Sequence, residues 1–334
     1  METIVQILAR ELGRKEAHVQ NVVTLLDEGN TIPFIARYRK EMHGTMDDTT
    51  LRTLADRLTY LRSLDKRREE VKASIEGQGK LTEALSAAID AAATLAEVED
   101  LYRPYKPKRR TRATIAREKG LEPLAQLLFA QGRDCPAPET AAADYVNPEK
   151  GVNSVEEALA GASDIIAEAV SDDANLRKRL RELWRSKGSL VSRAADKEPE
   201  DTVYRLYYDF TTPVSRAMGH QILAINRGER EGVLKVSVEM DREAALIVVR
   251  RAVLAPGAPS MSFVRAAAED AYDRLIAPSI EREIRSLLTE QADEGAIKMF
   301  GLNLKPLLMQ PPVKGFVTMG LDPGYRNGCK VAVV

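Results

Sequence analysis

Apolar residues recur every three or four positions through the first 190 residues, and this spacing predicts one amphipathic α-helix after another. Two of the apolar stripes are Val19, Val22, Val23 and Leu26, and Leu51, Leu54, Leu58 and Leu61. Helices of this kind, joined by short loops, pack as antiparallel hairpins. The pattern therefore predicts a helical bundle for this part of the chain.

Beyond residue 190 the apolar pattern becomes mixed. Residues 188–201, with glycine, proline and charges of both signs, predict a linker. Helical spacing returns at 203–210 and 215–229, and strict alternation at 234–238 predicts one short, half-exposed strand.

The last part of the chain changes character. A long charged helix is predicted over 262–291, where Pro278 is expected to bend or break it, and a final helix should end near Leu308. The apolar runs 316–321 and 329–334 flank a turn-rich loop and predict a β-hairpin. Because a hairpin with two apolar strands is not stable alone, we expect the natural protein to continue.

These patterns predict a mainly α protein, a multi-helical bundle or hairpin scaffold that ends in one β-hairpin. We expect a helical region over residues 1–190, a central and mainly helical region over 191–315, and the start of a further domain over 316–334.

The net charge of −1 by itself says nothing for nucleic acid, but the charges are segregated. Residues 101–120 carry eight Lys and Arg against one Glu, whereas residues 134–173 carry ten Asp and Glu against one Lys. Residues 176–193 are basic again, with seven Lys and Arg against one Glu. A neutral chain with this distribution can still present a basic face.

The sequence indicates a cytoplasmic protein. Its two cysteines are far apart and predict no disulfide framework, and its three histidines form no metal-ligand spacing with them. The first residues do not resemble a signal peptide, because acidic residues come early and the apolar ones are spaced. No run approaches the roughly 20 apolar residues that span a bilayer.

A first basic run, Thr-Ile-Pro-Phe-Ile-Ala-Arg-Tyr-Arg-Lys-Glu, occupies residues 31–41. It predicts a short helix whose apolar side chains are buried while Arg37, Arg39 and Lys40 project. These three cations are candidate nucleic-acid contacts. A packing helix with a solvated basic end explains the same residues.

A second basic run, Tyr-Arg-Pro-Tyr-Lys-Pro-Lys-Arg-Arg-Thr-Arg, occupies residues 102–112. Its two prolines exclude a helix interior and predict an extended segment. Its candidate phosphate-binding residues are Lys106, Lys108, Arg109, Arg110 and Arg112. Tyr102 and Tyr105, if exposed, would stack on bases. In the alternative interpretation, the arginines pair with nearby acidic helices.

One acidic residue, Asp322, lies at the end of the first strand of the predicted hairpin. This resembles the opening of the RNase-H-like fold, in which the first acid holds a divalent metal beside acids from later strands. An Asp-Pro-Gly turn explains it equally well. One carboxylate cannot clamp two metals, and no Walker loop, His-Glu-x-x-His or Gly-x-Ser-x-Gly motif occurs. We therefore expect no catalytic residue, no bound metal and no cofactor.

Four runs of the sequence, in this order, resemble the Tex family of bacterial transcription accessory proteins. They are residues 31–41, 102–125, 222–236 and 320–334. Together they cover nearly the whole chain, which makes the resemblance far more specific than any single short motif.

The resemblance implies a non-catalytic, nucleic-acid-associated scaffold that acts in transcription and contacts RNA polymerase. It implies a helix-turn-helix-like element, for which the charged helices around residues 15–60 are candidates. A YqgF/RuvC-like RNase-H domain, of which 316–334 would be the start, should be followed by helix-hairpin-helix and S1 RNA-binding domains. Asp322 matches the first acid of that RNase-H-like domain, which is regarded as lacking a competent nuclease site.

Two rival functions stay open. A structure-selective nuclease would use Asp322 together with further acids at the ends of later strands. A purely protein-binding helical domain would have its basic run paired internally with carboxylates. Without the S1 domain, we expect weak binding of RNA or DNA, if any.

The second basic run yields a prediction. If about three of its cations reach phosphates, log affinity should fall with log salt at a slope of roughly −2 to −3. Replacing Lys108, Arg109 and Arg110 with Ala should flatten this slope and hardly change the melting temperature. Unchanged binding with a lowered melting temperature would contradict a nucleic-acid role for this run.

Overall fold

The computed structural model describes residues 2–107, 110–196, 201–311, 314–324 and 328–334. Helices make up 64% of the chain and the sheets are small, which confirms the mainly α fold class. The chain forms two compact units. One comprises residues 1–181 and 243–277, and the other comprises 182–242 and 278–334.

The helices follow one another with short connections. In chain order they are α1 (Ile4–Leu12), α2 (Glu16–Asp27), α3 (Ile32–Tyr38), α4 (Asp48–Glu76), α5 (Glu83–Ala91), α6 (Leu95–Tyr102), α7 (Arg112–Glu118), α8 (Glu122–Ala130), α9 (Pro138–Ala143), α10 (Val155–Ser171), α11 (Ala174–Lys187), α12 (Gly219–Arg230), α13 (Arg242–Val253), α14 (Met261–Asp270) and α15 (Ala277–Leu308). The strands are β1 (Ser189–Ala194), β2 (Asp209–Pro213), β3 (Leu234–Glu239), β4 (Met319–Gly324) and β5 (Gly328–Val333).

The longest helix of the first unit, α4, has a single apolar seam. Asp47, the residue before α4, caps the helix, because its carboxylate accepts a hydrogen bond from the Thr50 backbone N–H at 2.7 Å. The buried residues of the seam are Leu51, Leu54, Leu58, Leu61, Leu64, Val71 and Ile75. Their spacing of mostly three and four residues is the one read from the sequence. The helix ends at Gly77.

Two apolar clusters lie along this seam. The amino-terminal half of α4 packs with α1, α2 and α3 around residues such as Leu8, Val22 and Ile35. The other half packs with α5 and α6 around Ile89 and Val98. One helix therefore contributes to both clusters and positions the shorter helices on either side.

A buried ion cluster joins α6 to α11. The Asp100 carboxylate accepts hydrogen bonds from Arg177 Nε at 2.9 Å and from Arg181 Nη2 at 2.7 Å. Only 2% of the Arg177 surface is exposed, and burial, reinforced by the nearby Arg103 charge, lowers the pKa of its guanidinium. Two arginines of a run that looked basic in the sequence are thus used inside the protein.

The second unit contains a three-stranded antiparallel sheet in the order β2–β1–β3. In the central strand, Val191 lies opposite Thr211 on one side and Ser237 on the other. The predicted strand at 234–238 is confirmed as β3. Helix α12 packs on β3. The Val238 N–H of β3 donates a hydrogen bond to the Glu281 carboxylate of α15 at 3.0 Å.

The predictions of a linker at 188–201 and of a helix at 203–210 are wrong. Residues 189–194 form the central strand β1, and 209–213 form the edge strand β2. β1 shows no alternation of apolar and polar residues, because its buried residues Leu190, Val191 and Ser192 are consecutive. Pairing with two strands that are distant in sequence makes it a strand, because its backbone groups find their partners there.

The helical stretch around Pro278 shows the expected irregularity. Residues 271–276 form a π-helical turn between α14 and α15, and Pro278 lies in the first turn of α15, where a missing N–H costs little. The last helix ends at Leu308, as predicted.

The predicted C-terminal hairpin is confirmed. β4 and β5 pair antiparallel, with Leu321 opposite Val331, and both strands are exposed along their length. The division of the chain into regions 1–190, 191–315 and 316–334 stays a prediction.

The buried cluster generates a stability prediction. Asp100→Asn removes the carboxylate charge that neutralises Arg177 and Arg181, and we expect it to cost about 3–5 kcal/mol of unfolding free energy. Asp27→Asn is the matched control, since Asp27 binds Arg62 in the same two-bond manner but at the surface, and should cost at most about 1 kcal/mol. Urea denaturation measures both, and equal costs would contradict a structural role for the cluster.

Candidate nucleic-acid interface

The first basic run forms α3 and the loop after it. Pro33 lies in the first turn, where its fixed φ favours helix initiation. Ile35 is fully buried in the cluster that includes Leu51 and Leu54 of α4. Helix α3 is thus held on α4 by its apolar side, which leaves the opposite side to the basic residues.

Two aromatic rings and three cations form the outer surface of this segment. We call Phe34, Arg37, Tyr38, Arg39 and Lys40 the α3 ridge. The Phe34 and Tyr38 rings, one helical turn apart, contact each other with centroids 5.3 Å apart. Tyr38 is open to solvent, with 56% of the residue exposed.

The cations of the α3 ridge are arranged around these rings. The Arg37 guanidinium lies 5.9 Å from the Tyr38 centroid, and that of Arg39 lies 5.2 Å from the Phe34 centroid. Arg39 Nη1 also donates to the Tyr38 carbonyl at 3.1 Å. Within the described residues, Arg37, Arg39 and Lys40 have no salt bridge to a carboxylate. Their positive charge is therefore not neutralised locally.

The loop after the α3 ridge is held by close contacts. The Met42 carbonyl accepts a hydrogen bond from Asn21 Nδ2 of α2 at 3.0 Å. His43 is 1% exposed, and its ring nitrogens have no hydrogen-bond partner among the described residues. Gly44 and Thr45 both have positive φ, +60° and +58°. Gly44 also packs closely on His18, because a Cβ added at Gly44 would lie 2.1 Å from His18 Nδ1.

The second basic run is less available than the sequence predicts. Residues 103–106 form a tight turn after α6, in which Lys106 N–H donates to the Tyr102 carbonyl at 3.0 Å, so the predicted extended segment is not observed there. The expected stacking role of Tyr102 is wrong, because the side chain is buried and its hydroxyl contacts Ser74 Oγ at 2.9 Å. Tyr105 is half-buried.

The candidate cations of this run have different environments. Lys106 lies 3.8 Å from Glu99, and Arg110 binds Glu118 at 3.0 Å while staying 70% exposed. Arg112 is half-buried at the first position of α7. Lys108 and Arg109 lie outside the described residues.

Arg103 within this run and Arg117 beyond its end are paired with acids of α10 and its carboxyl end. Arg103 binds Asp172 at 3.2 Å, and Arg117 binds the largely buried Glu168 at 2.6 Å. Glu168 also accepts a hydrogen bond from Thr111 at 3.1 Å. Acids of the segment 134–173 therefore neutralise Arg103 and Arg117, which is internal pairing of the kind that the alternative interpretation expects.

Asp322 lies on β4, directly opposite Lys330 of β5. In the described part of the chain, no three His, Cys, Asp or Glu side chains are grouped to hold a metal ion. Cys135 and Cys329 are free thiols. None of the described helices is long and apolar enough to cross a membrane.

Sequence reasoning identified the cations of the α3 ridge but missed Tyr38. The signal was present, since Tyr38 interrupts the cations and lies four residues after Phe34, the spacing at which side chains on a helix touch. What the sequence did not show was which of the tyrosines near basic residues would be exposed.

Two family models match the chain. A model described as Tex-like protein N-terminal domain matches residues 2–76, and one described as Tex central region-like matches residues 134–300. The α3 ridge lies within the first match, whereas the second basic run lies between the two.

Curated relatives align along nearly all of the chain. Protein tex of Bordetella pertussis is 43% identical over 99% of this chain and 44% of its own length. Transcriptional accessory protein Tex of Neisseria gonorrhoeae is 42% identical over 99% of this chain and 44% of its own length. S1 RNA-binding domain-containing protein 1 of Homo sapiens is 32% identical over 99% of this chain and 34% of its own length. The chain therefore spans less than half the length of these relatives.

The close approach at Gly44 generates a prediction. In Gly44→Ala, the Cβ would lie 2.1 Å from His18 Nδ1 at a positive φ, so either the His18 ring or the loop must shift, and we expect a loss of about 1–2 kcal/mol. Gly13→Ala is the control, because Gly13 has a similar φ of +61° and no atom near its Cβ position. Thermal unfolding should show a larger loss for Gly44→Ala. Equal losses would mean that His18 does not constrain the loop.

Proposed function

The chain belongs to the Tex family, and from this premise we propose that it acts in transcription as a non-catalytic, nucleic-acid-associated scaffold. The helical first unit would provide the binding surface. The names of two relatives support the proposal, one as a transcriptional accessory protein and the other as an S1 RNA-binding domain-containing protein.

The observation that carries the proposal is the unneutralised charge of the α3 ridge. Most arginines of the first unit for which a contact is described bind a carboxylate, at the surface or inside. Arg37 and Lys40 are exposed and, within the described residues, have no such partner. A cation that is not already paired can bind a phosphate without first giving up a salt bridge, so its whole electrostatic gain is available.

The second basic run would make a smaller contribution. Lys106 and Arg110 are exposed, but each must exchange a carboxylate for a phosphate, and Arg112 is half-buried. Lys108 and Arg109 belong to the same proposed surface on sequence grounds. We therefore place the primary contact at the α3 ridge and a secondary one at this run.

Other elements of the proposal rest on family membership. They are RNA polymerase as a partner and a helix-turn-helix role for residues 15–60, whereas the proposed cytoplasmic location rests on the sequence. A nuclease that uses Asp322 is the alternative enzyme function. Its opposing Lys330 would neutralise the carboxylate rather than help it bind a metal.

A salt titration tests the proposed surface. Each phosphate contacted on a single strand contributes about −0.7 to the slope of log affinity against log salt, so the three cations of the α3 ridge contribute about −2. Replacing Arg37, Arg39 and Lys40 with Ala should remove this contribution, leave only that of the second basic run, and weaken binding to all sequences alike. The binding of labelled RNA and DNA oligonucleotides by the chain measures this.

The control removes the same charge elsewhere. Arg193, Arg205 and Arg216 are exposed residues of the second unit, and their replacement with Ala should leave the slope unchanged. If both triple variants lower affinity equally, only net charge matters and the α3 ridge is not a binding surface. Cleavage of the oligonucleotides with Mg²⁺ or Mn²⁺, abolished by Asp322→Asn, would favour the nuclease instead.

A further inference from the structure

The α3 ridge has a second property that its charge does not require. Phosphate binding needs cations alone, yet here an aromatic ring lies among them with more than half of the residue exposed. At binding sites, exposed aromatic rings supply large contact area at a small entropy cost. Tyr38 therefore indicates a ligand with an apolar, planar part as well as negative charge.

The ring is held in place rather than free to rotate into solvent. Tyr38 is the last residue of α3, and its ring contacts that of Phe34 one turn earlier. Its carbonyl accepts a hydrogen bond from Arg39, whose guanidinium packs on Phe34. After it, the loop is fixed by Asn21 and by the close approach of Gly44 to His18. A platform that is already ordered loses little entropy on binding.

From this geometry we propose that the α3 ridge binds single-stranded nucleic acid, with one unpaired base stacked on Tyr38 and adjacent phosphates bound by Arg37, Arg39 and Lys40. The inference rests on the proposed function and specifies its substrate. A base in a duplex is stacked on both faces by its neighbours and offers no face to the ring, whereas an unpaired base does. Stacking has no sequence preference, since every base has a π-face.

An acidic peptide would fit the cations but not the ring. A carboxylate on a flexible chain binds a guanidinium group through two parallel hydrogen bonds, and it gains nothing from an exposed aromatic plane. An exposed ring with cations beside it instead matches a ligand that carries planar groups and anions together, as a polynucleotide strand does.

The test compares single-stranded and duplex oligonucleotides of one sequence, with the whole chain as the protein. Tyr38→Ala should weaken single-strand binding by about 5- to 150-fold, the range expected for one lost stacking contact, and leave duplex binding unchanged. The salt slope for the single strand should be unchanged, because no phosphate contact is removed. Tyr38→Phe keeps the ring and should bind single strands as the unaltered chain does.

The outcomes separate the inference from the function on which it rests. If the Arg37, Arg39 and Lys40 variant lowers affinity but Tyr38→Ala does not, the proposed surface stands and the stacking inference is overturned. The inference is also overturned if Tyr38→Ala weakens single-strand and duplex binding equally, or if Tyr38→Phe is as weak as Tyr38→Ala. If the charge variant has no effect, the proposed function fails at this site. A melting temperature within a few degrees for Tyr38→Ala shows that the change is local, and a circular dichroism spectrum confirms the fold.

Discussion

The first unit depends on the burial of one apolar seam along α4. Seven side chains of this helix, from Leu51 to Ile75, are buried, and they belong to two clusters that share no other helix. Each buried aliphatic side chain contributes about 1.5–3 kcal/mol, so the seam outweighs any exposed ion pair of the unit. α3 packs on the first half of α4 and α6 on the second. The positions of both basic runs therefore depend on α4, because α3 and α6 pack against it.

Charge pairing then decides which basic run is available to a ligand. In the run over 102–112, carboxylates bind Arg103, Lys106 and Arg110. The buried Asp100 binds two largely buried arginines of α11. Burying such an ion pair costs the desolvation of both charges, and its benefit is that it can specify a single packing of the helices. On α3 the opposite holds, because Ile35 attaches the helix by apolar contact and leaves its cations unpaired within the described chain. The proposed phosphate-binding surface would thus result from apolar anchoring of α3 and not from an excess of positive residues.

Much of the helical architecture follows from local pattern. The seam of α4 and the final hairpin were both predicted from residues within a few positions of each other. The sheet of the second unit was not, because β1 acquires its strand conformation by pairing with β2 and β3, the latter 40 or more residues away. Of the candidate site, the sequence identified Arg37, Arg39 and Lys40 as projecting cations. It named Tyr102 and Tyr105, if exposed, as residues that stack on bases, and did not name Tyr38.

The reason for this division is the range over which each interaction acts. Helix periodicity, capping and turn chemistry involve partners three or four residues apart, so the sequence by itself determined the fold class, most helices and the presence of two basic runs. Burial and charge neutralisation involve partners far apart in sequence, such as Asp100 with Arg177 and Arg117 with Glu168. Only the tertiary structure decided that Tyr102 is buried and Tyr38 exposed, because each tyrosine's environment is made by side chains from other helices.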